Sequence, residues 1–63
     1  MWFLYVNKRF YTEVKGIHGI RGHISEIGRG QSEDMLKLIV EELLQGGIVT
    51  LNGKTVKLEK IVC

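Results

Sequence analysis

The apolar and polar positions of the chain fall into a few short blocks. Residues 2–6, Trp-Phe-Leu-Tyr-Val, are apolar throughout and rich in aromatic and β-branched side chains, which predicts a strand. Phe10 to Val14 predicts a second strand, joined to the first by a tight turn at Asn7-Lys8, because Asn accepts a positive φ. A two-residue turn sets Tyr5 opposite Phe10 and Leu4 opposite Tyr11. Since both sides of the first strand are apolar, it belongs in the middle of a sheet or at a subunit contact.

The segment from Ser32 to Gln45 has the clearest helical pattern. Ser32 is a good N-cap, and Glu33 and Asp34 complement the positive end of the helix dipole. Met35, Leu36, Ile39, Val40, Leu43 and Leu44 recur at helical spacing and form one wide apolar face. Leu38 lies off that face, as an exposed contact, and Gly46-Gly47 supplies the stop. Ile48 to Leu51, then Asn52-Gly53, then Lys54 to Val62 reads as a hairpin around a type I′ turn. Its register pairs Leu51 with Lys54 and Val49 with Val56, placing Val49, Leu51, Val56 and Leu58 on one face.

Between the first hairpin and the helix stand Gly16, Gly19, Gly22, Gly28 and Gly30, which predict a turning, close-approach connection. A short strand over Ile24 to Ile27 is the most regular structure expected there. The expected architecture is a single α+β domain over residues 1–63. A small antiparallel sheet of two hairpins carries one amphipathic helix (about 32–45) on one face. The other face, showing Trp2 or its neighbours, is where a dimer or partner would dock.

Size adds a constraint. A domain of 63 residues is marginal alone, and such folds are commonly reinforced by disulfides, a metal or a second subunit. Cys63 is the single cysteine, so no internal disulfide is available and self-association is expected. A lone cysteine fits a reducing compartment, and no run reaches the about 18 apolar residues of a membrane span, so a cytoplasmic protein without membrane contact is expected. The net charge of +2 is unevenly spread. Basic residues dominate both ends, whereas Glu33, Asp34, Glu41 and Glu42 make the middle acidic, an arrangement that permits an anionic partner without requiring one.

The glycine stretch is the main candidate for chemistry. Backbone amides turned toward an anion, with Lys8, Arg9, Lys15, His18, Arg21, His23 and Arg29 nearby, would make a nucleic-acid or phosphate contact. The plainer alternative is a tight turn with solvated side chains. Known nucleotide loops fail on spacing. Gly53-Lys54-Thr55 ends like a P-loop, but position 48 is Ile, and Gly28-Arg29-Gly30 lacks the third glycine because position 33 is Glu. Glu33 and Asp34 also oppose phosphate at the following helix start. Gly19-Ile20-Arg21-Gly22 matches the four-residue loop of KH modules, but no helix is predicted before it.

Val14, Gly16, Gly19, Gly22, Ile24 and Ile27 resemble a KOW motif, the short signature of SH3-like barrels in some ribosomal and transcription-elongation proteins. The resemblance covers residues 14–27 and implies contacts with RNA or with other proteins. The chain departs from that pattern where a helix replaces the next strand of the barrel.

Other chemistries find little support. His18, His23 and Cys63 fall short of the four close-set ligands usual for zinc, so neither metal nor cofactor is expected. A cysteine at position 63 is a poor nucleophile site, and the adjacent Glu41 and Glu42 do not face each other on a helix. No catalytic set is visible, so no enzyme is expected. The aromatic residues Trp2, Phe3, Tyr5, Phe10 and Tyr11 either build the core or form a platform. Trp2, Tyr5 and Tyr11 are the candidate interface residues. Together these features suggest a small regulatory protein, of the accessory kind phages carry, that docks on a protein partner and pairs as a homodimer. The alternative is an RNA- or DNA-binding module using the basic glycine stretch.

Overall fold

The computed structural model describes residues 1–61. Val62 and Cys63, which the hairpin and the histidine–cysteine readings touch, lie outside the described residues. Strand β1 (Trp2–Val6) and strand β2 (Arg9–Val14) form the first hairpin. Helices α1 (Ile17–Ile27) and α2 (Glu33–Leu44) follow, and strands β3 (Ile48–Leu51) and β4 (Lys54–Lys60) form the second hairpin. The strands make one four-stranded antiparallel sheet in the order β2-β1-β4-β3. The α+β class and the two hairpins are as the sequence implies. So is the central place of β1, between β2 and β4.

The turns explain the pairing. Asn7 and Lys8 have φ of 53° and 67°, and Asn52 and Gly53 have 48° and 78°, so both hairpins close through two left-handed residues. That geometry matches the twist of the strands it joins. Tyr5 faces Phe10, and Val49 faces Val56, as expected. The predicted pairing of Leu4 with Tyr11 is corrected: a bulge shifts the register, and Leu4 faces Thr12. The extra residue turns to the helix side, where the Tyr11 ring stands edge-on to His23 with centroids 5.9 Å apart. Because β2 is an edge strand, the bulge also blunts it against adding a further strand.

The largest correction concerns residues 17–27. The expected loop and short strand are helix α1, so α2 is not the lone helix. Most of the KOW-like stretch lies within α1. Ile17, Ile20, Ile24 and Ile27 recur at helical spacing, and Ile20 and Ile24 are fully buried. Two interior glycines cost a helix about 1 kcal/mol each relative to alanine. Full burial of two isoleucines contributes roughly 3–6 kcal/mol, which outweighs that cost. Gly19 has a packing reason: a Cβ on it would stand 2.9 Å from Val14 Cγ1, so its absence lets α1 lie close on β2.

Helix α2 begins where expected, with Ser32 Oγ accepting from the Met35 N–H at 3.2 Å. It ends with the Gly47 N–H donating to Glu42 O and the Gly46 N–H to Leu43 O, with Gly46 at φ 90°. These bonds satisfy the last carbonyls in the way a left-handed glycine after the C-cap allows. Met35 and Leu44, expected on the buried face, are exposed at its margins, and Leu38 is exposed as expected. The core joins Leu4, Val14, Leu51, Val56 and Leu58 of the sheet to Ile20, Ile24, Leu36, Ile39, Val40 and Leu43 of the helices. Both helices therefore cover the same side of the sheet. The opposite side has no covering element among the described residues.

Candidate interaction face

Strand alternation decides which side chains reach the uncovered face. Leu4 is fully buried under the helices, so its neighbours Phe3 and Tyr5 point the other way. Register adds Phe10 beside Tyr5, Glu13 beside Phe3, Lys57 across from Tyr5, Glu59 across from Phe3 and Ile48 beside Lys57. The Phe3 and Phe10 rings meet edge to face with centroids 5.3 Å apart, and the Tyr5 and Phe10 rings do so at 6.1 Å. Such contacts fix ring orientation and contribute roughly 0.5–1.5 kcal/mol each beyond the area they bury. Phe10 is nonetheless 57% exposed and Ile48 65% exposed. Next to the rings lies a groove of about 330 Å³ lined by Tyr5, Lys8, Ile48, Thr55, Lys57 and Glu59.

The Asn7 turn is held at the end of this face by two bonds to β4. The Asn7 backbone N–H donates to Thr55 O at 2.8 Å, and Asn7 Oδ1 accepts from the Thr55 N–H at 3.0 Å. The pair fixes Lys8, whose left-handed backbone is unusual for a residue with a long side chain. Lys8 thus joins Lys57 at the groove.

The sequence candidates divide between the two sides of the molecule. Of the interface residues, Tyr5 lies on the uncovered face. Trp2 packs against the core on the helix side, and Tyr11 is on that side against His23. Of the basic residues, Lys8 reaches the uncovered face. Arg9 stands opposite Val6 at the start of β2, and Lys15 follows the end of that strand. His18, Arg21 and His23 are on α1, and Arg29 is in the connection to α2. Arg21 Nη2 lies 3.9 Å from Glu33 Oε1, an exposed pair that ties α1 loosely to the start of α2. His23 Nδ1 is buried without a hydrogen-bond partner among the described residues. Lys8 on the uncovered side and the α1 residues on the other side of the sheet do not share one surface. Over residues 17–27 the glycine stretch is helix, not the turning loop on which both the anion-cradle and the plain-turn readings rest.

Ile48, Lys57 and Glu59 are outside the expected site, and Phe3 and Phe10 enter it only as aromatics of the core or a platform, although the alternation of β1 already puts Phe3 on the side opposite Leu4. A second groove, of about 270 Å³, runs along the helices between Ile17, Arg21, Lys37, Val40, Glu41 and Leu44. Its exposed apolar groups are single aliphatic side chains separated by charges, whereas the sheet face presents aromatic rings in mutual contact. Among the described residues, no group of three or more His, Cys, Asp or Glu is placed to hold a metal, and no helix is long and apolar enough to cross a membrane. Compared with known protein families, curated proteins and solved structures, the chain matches none.

Proposed function

We propose that this protein is a small, non-enzymatic binding module that works by docking the uncovered face of its sheet on a protein surface. The observation that carries this reading is the edge-to-face set of Phe3, Tyr5 and Phe10 on a face that no helix covers. Rigid aromatic side chains lose little freedom when covered, and they dominate the energetics of protein interfaces. Lys8 in the first turn and Glu13 on the edge strand β2 suit a polar rim, and Lys57 and Glu59 on β4 place one charge of each sign within the face. Nucleic-acid binding has a narrower basis in the two lysines next to stacking rings. The two carboxylates on the same face oppose a polyanion.

The test compares three forms of the chain in capture from a host lysate: wild type, Phe10→Glu, and Leu38→Glu on the outside of α2. Loss of the captured proteins with Phe10→Glu but not with Leu38→Glu supports the sheet face. Equal capture by all three rejects it. Binding of a mixed oligonucleotide pool with a steep salt dependence would instead establish the nucleic-acid reading, because neutralised phosphates release counterions.

A further inference from the structure

Resting on the reading of the sheet face as a docking surface, we infer that its occupant is a second copy of this chain, packed sheet to sheet around a two-fold axis. The argument is register and charge. Two adjacent rows cross the centre of the face. Tyr5 pairs with Lys57 in one, and Phe3 pairs with Glu59 in the next. Each row therefore holds one aromatic ring from β1 and one charge from β4, and the two charges are opposite. A two-fold axis lying between two such sheets, across the strands and midway between the rows, exchanges the rows. It sets Lys57 of each copy against Glu59 of the other, and Tyr5 of each against Phe3 of the other. An isologous contact needs this kind of self-complementarity, with residue i meeting residue j and j meeting i.

Partners of a single sign fit less well. A polyanion covering the groove meets Glu59 and Glu13, and a basic protein meets Lys57 and Lys8. A second copy about this axis pairs Lys57 with Glu59, one charge of each sign, and sets Glu13 of each copy against Phe10 of the other. Area is consistent with this occupant. Four strands about 4.8 Å apart and roughly 20 Å long present a footprint of roughly 400 Å² per copy. With side-chain relief, a pair hides on the order of 1,000 Å² of accessible surface, which is about the minimum for a specific interface. Aligned packing of two sheets over aromatic side chains is also a stable way to cover a bare sheet face. It supplies the additional burial that a domain of 63 residues needs.

Sedimentation velocity over a concentration series decides the matter, using the full chain and two charge reversals at exposed positions, Lys57→Glu and Glu59→Lys. Circular dichroism confirms that each variant keeps its fold. Wild type is expected to pass from monomer to dimer as concentration rises to about 500 µM. Each reversal alone opposes like charges and is expected to weaken pairing by about tenfold or more. An equimolar mixture of the two variants restores Lys–Glu contacts across the axis and is expected to dimerise again. A wild type that stays monomeric, or a mixture that associates no better than its components, overturns the inference. The two readings fail differently. If wild type is monomeric but Phe10→Glu still abolishes capture of a host protein, self-pairing falls and the docking face stands. If neither oligomeric state nor capture responds to this face, both fall.

Discussion

A Cβ placed on Gly19 would lie 2.9 Å from Val14 Cγ1, so the glycine allows the close seating of α1 on the edge strand β2. Gly22, one turn further along the same helix, has nothing within 4 Å of a built Cβ. The two positions should therefore respond oppositely to alanine. Gly22→Ala is expected to stabilise by about 0.5–1 kcal/mol, the helix-propensity difference alone. Gly19→Ala gains the same propensity but must push against a buried Val14, and overpacking typically costs about 1–3 kcal/mol, so it is expected to destabilise. Urea unfolding of both variants checks the signs. Stabilisation by Gly19→Ala would show that α1 is not seated this closely.

The Asn7 turn offers a second pair of opposed outcomes. Asn7→Gly keeps the positive φ but loses the acceptor for the Thr55 N–H, and a cost of about 1 kcal/mol is expected. Lys8→Gly removes the strain of a left-handed lysine and is expected to gain about 1 kcal/mol. In a domain of this size, 1 kcal/mol moves the thermal midpoint by about 4–8 °C, which a melting curve followed by circular dichroism resolves. If Lys8 contributes to the docking face, the stabilised Lys8→Gly variant is also expected to bind less well there.

Ser32→Ala removes the acceptor that holds the Met35 N–H at the first turn of α2. The expected loss is about 1 kcal/mol, in the usual range for an N-cap. Ser32→Asp should retain the cap and preserve stability, and Ser32→Gly should cost only a few tenths of that unit. Chemical denaturation of the three variants tests the order.

Burial separates the two kinds of aliphatic residue. Ile24 is fully buried between α1 and the sheet, and Ile24→Ala is expected to cost about 2–5 kcal/mol, enough to unfold much of a marginal domain at 37 °C. Ile48 is 65% exposed on the uncovered face, and Ile48→Thr should leave the melting temperature within about 2 °C of wild type while weakening self-pairing. A large loss of stability from Ile48→Thr in dilute monomer would show that this side chain is already covered within one chain.

The elements with short-range signals are legible in the chain alone. Asn7-Lys8 and Asn52-Gly53 specify tight turns, Ser32 and Gly46 bracket α2, and alternation in Ile48–Leu58 specifies which residues of the second hairpin go inside. Each follows from backbone preference or from a repeat of two or 3.6 residues, which neighbours in sequence suffice to express. The helical repeat of Ile17, Ile20, Ile24 and Ile27 was also present in the chain, but Gly16, Gly19 and Gly22 weigh against a helix when local propensity is judged alone. Long-range packing settles that contest, because the energy that outweighs the glycines comes from burying Ile20 and Ile24 in a core that also holds Leu4, Val56 and Leu58. The same holds for the candidate site. That Phe3, Tyr5, Phe10, Lys57 and Glu59 share one uncovered face depends on β4 pairing with β1, a contact across most of the chain. Trp2 shares the Leu4 side by strand alternation, whereas Tyr11 is drawn away from that face by a bulge that composition cannot reveal.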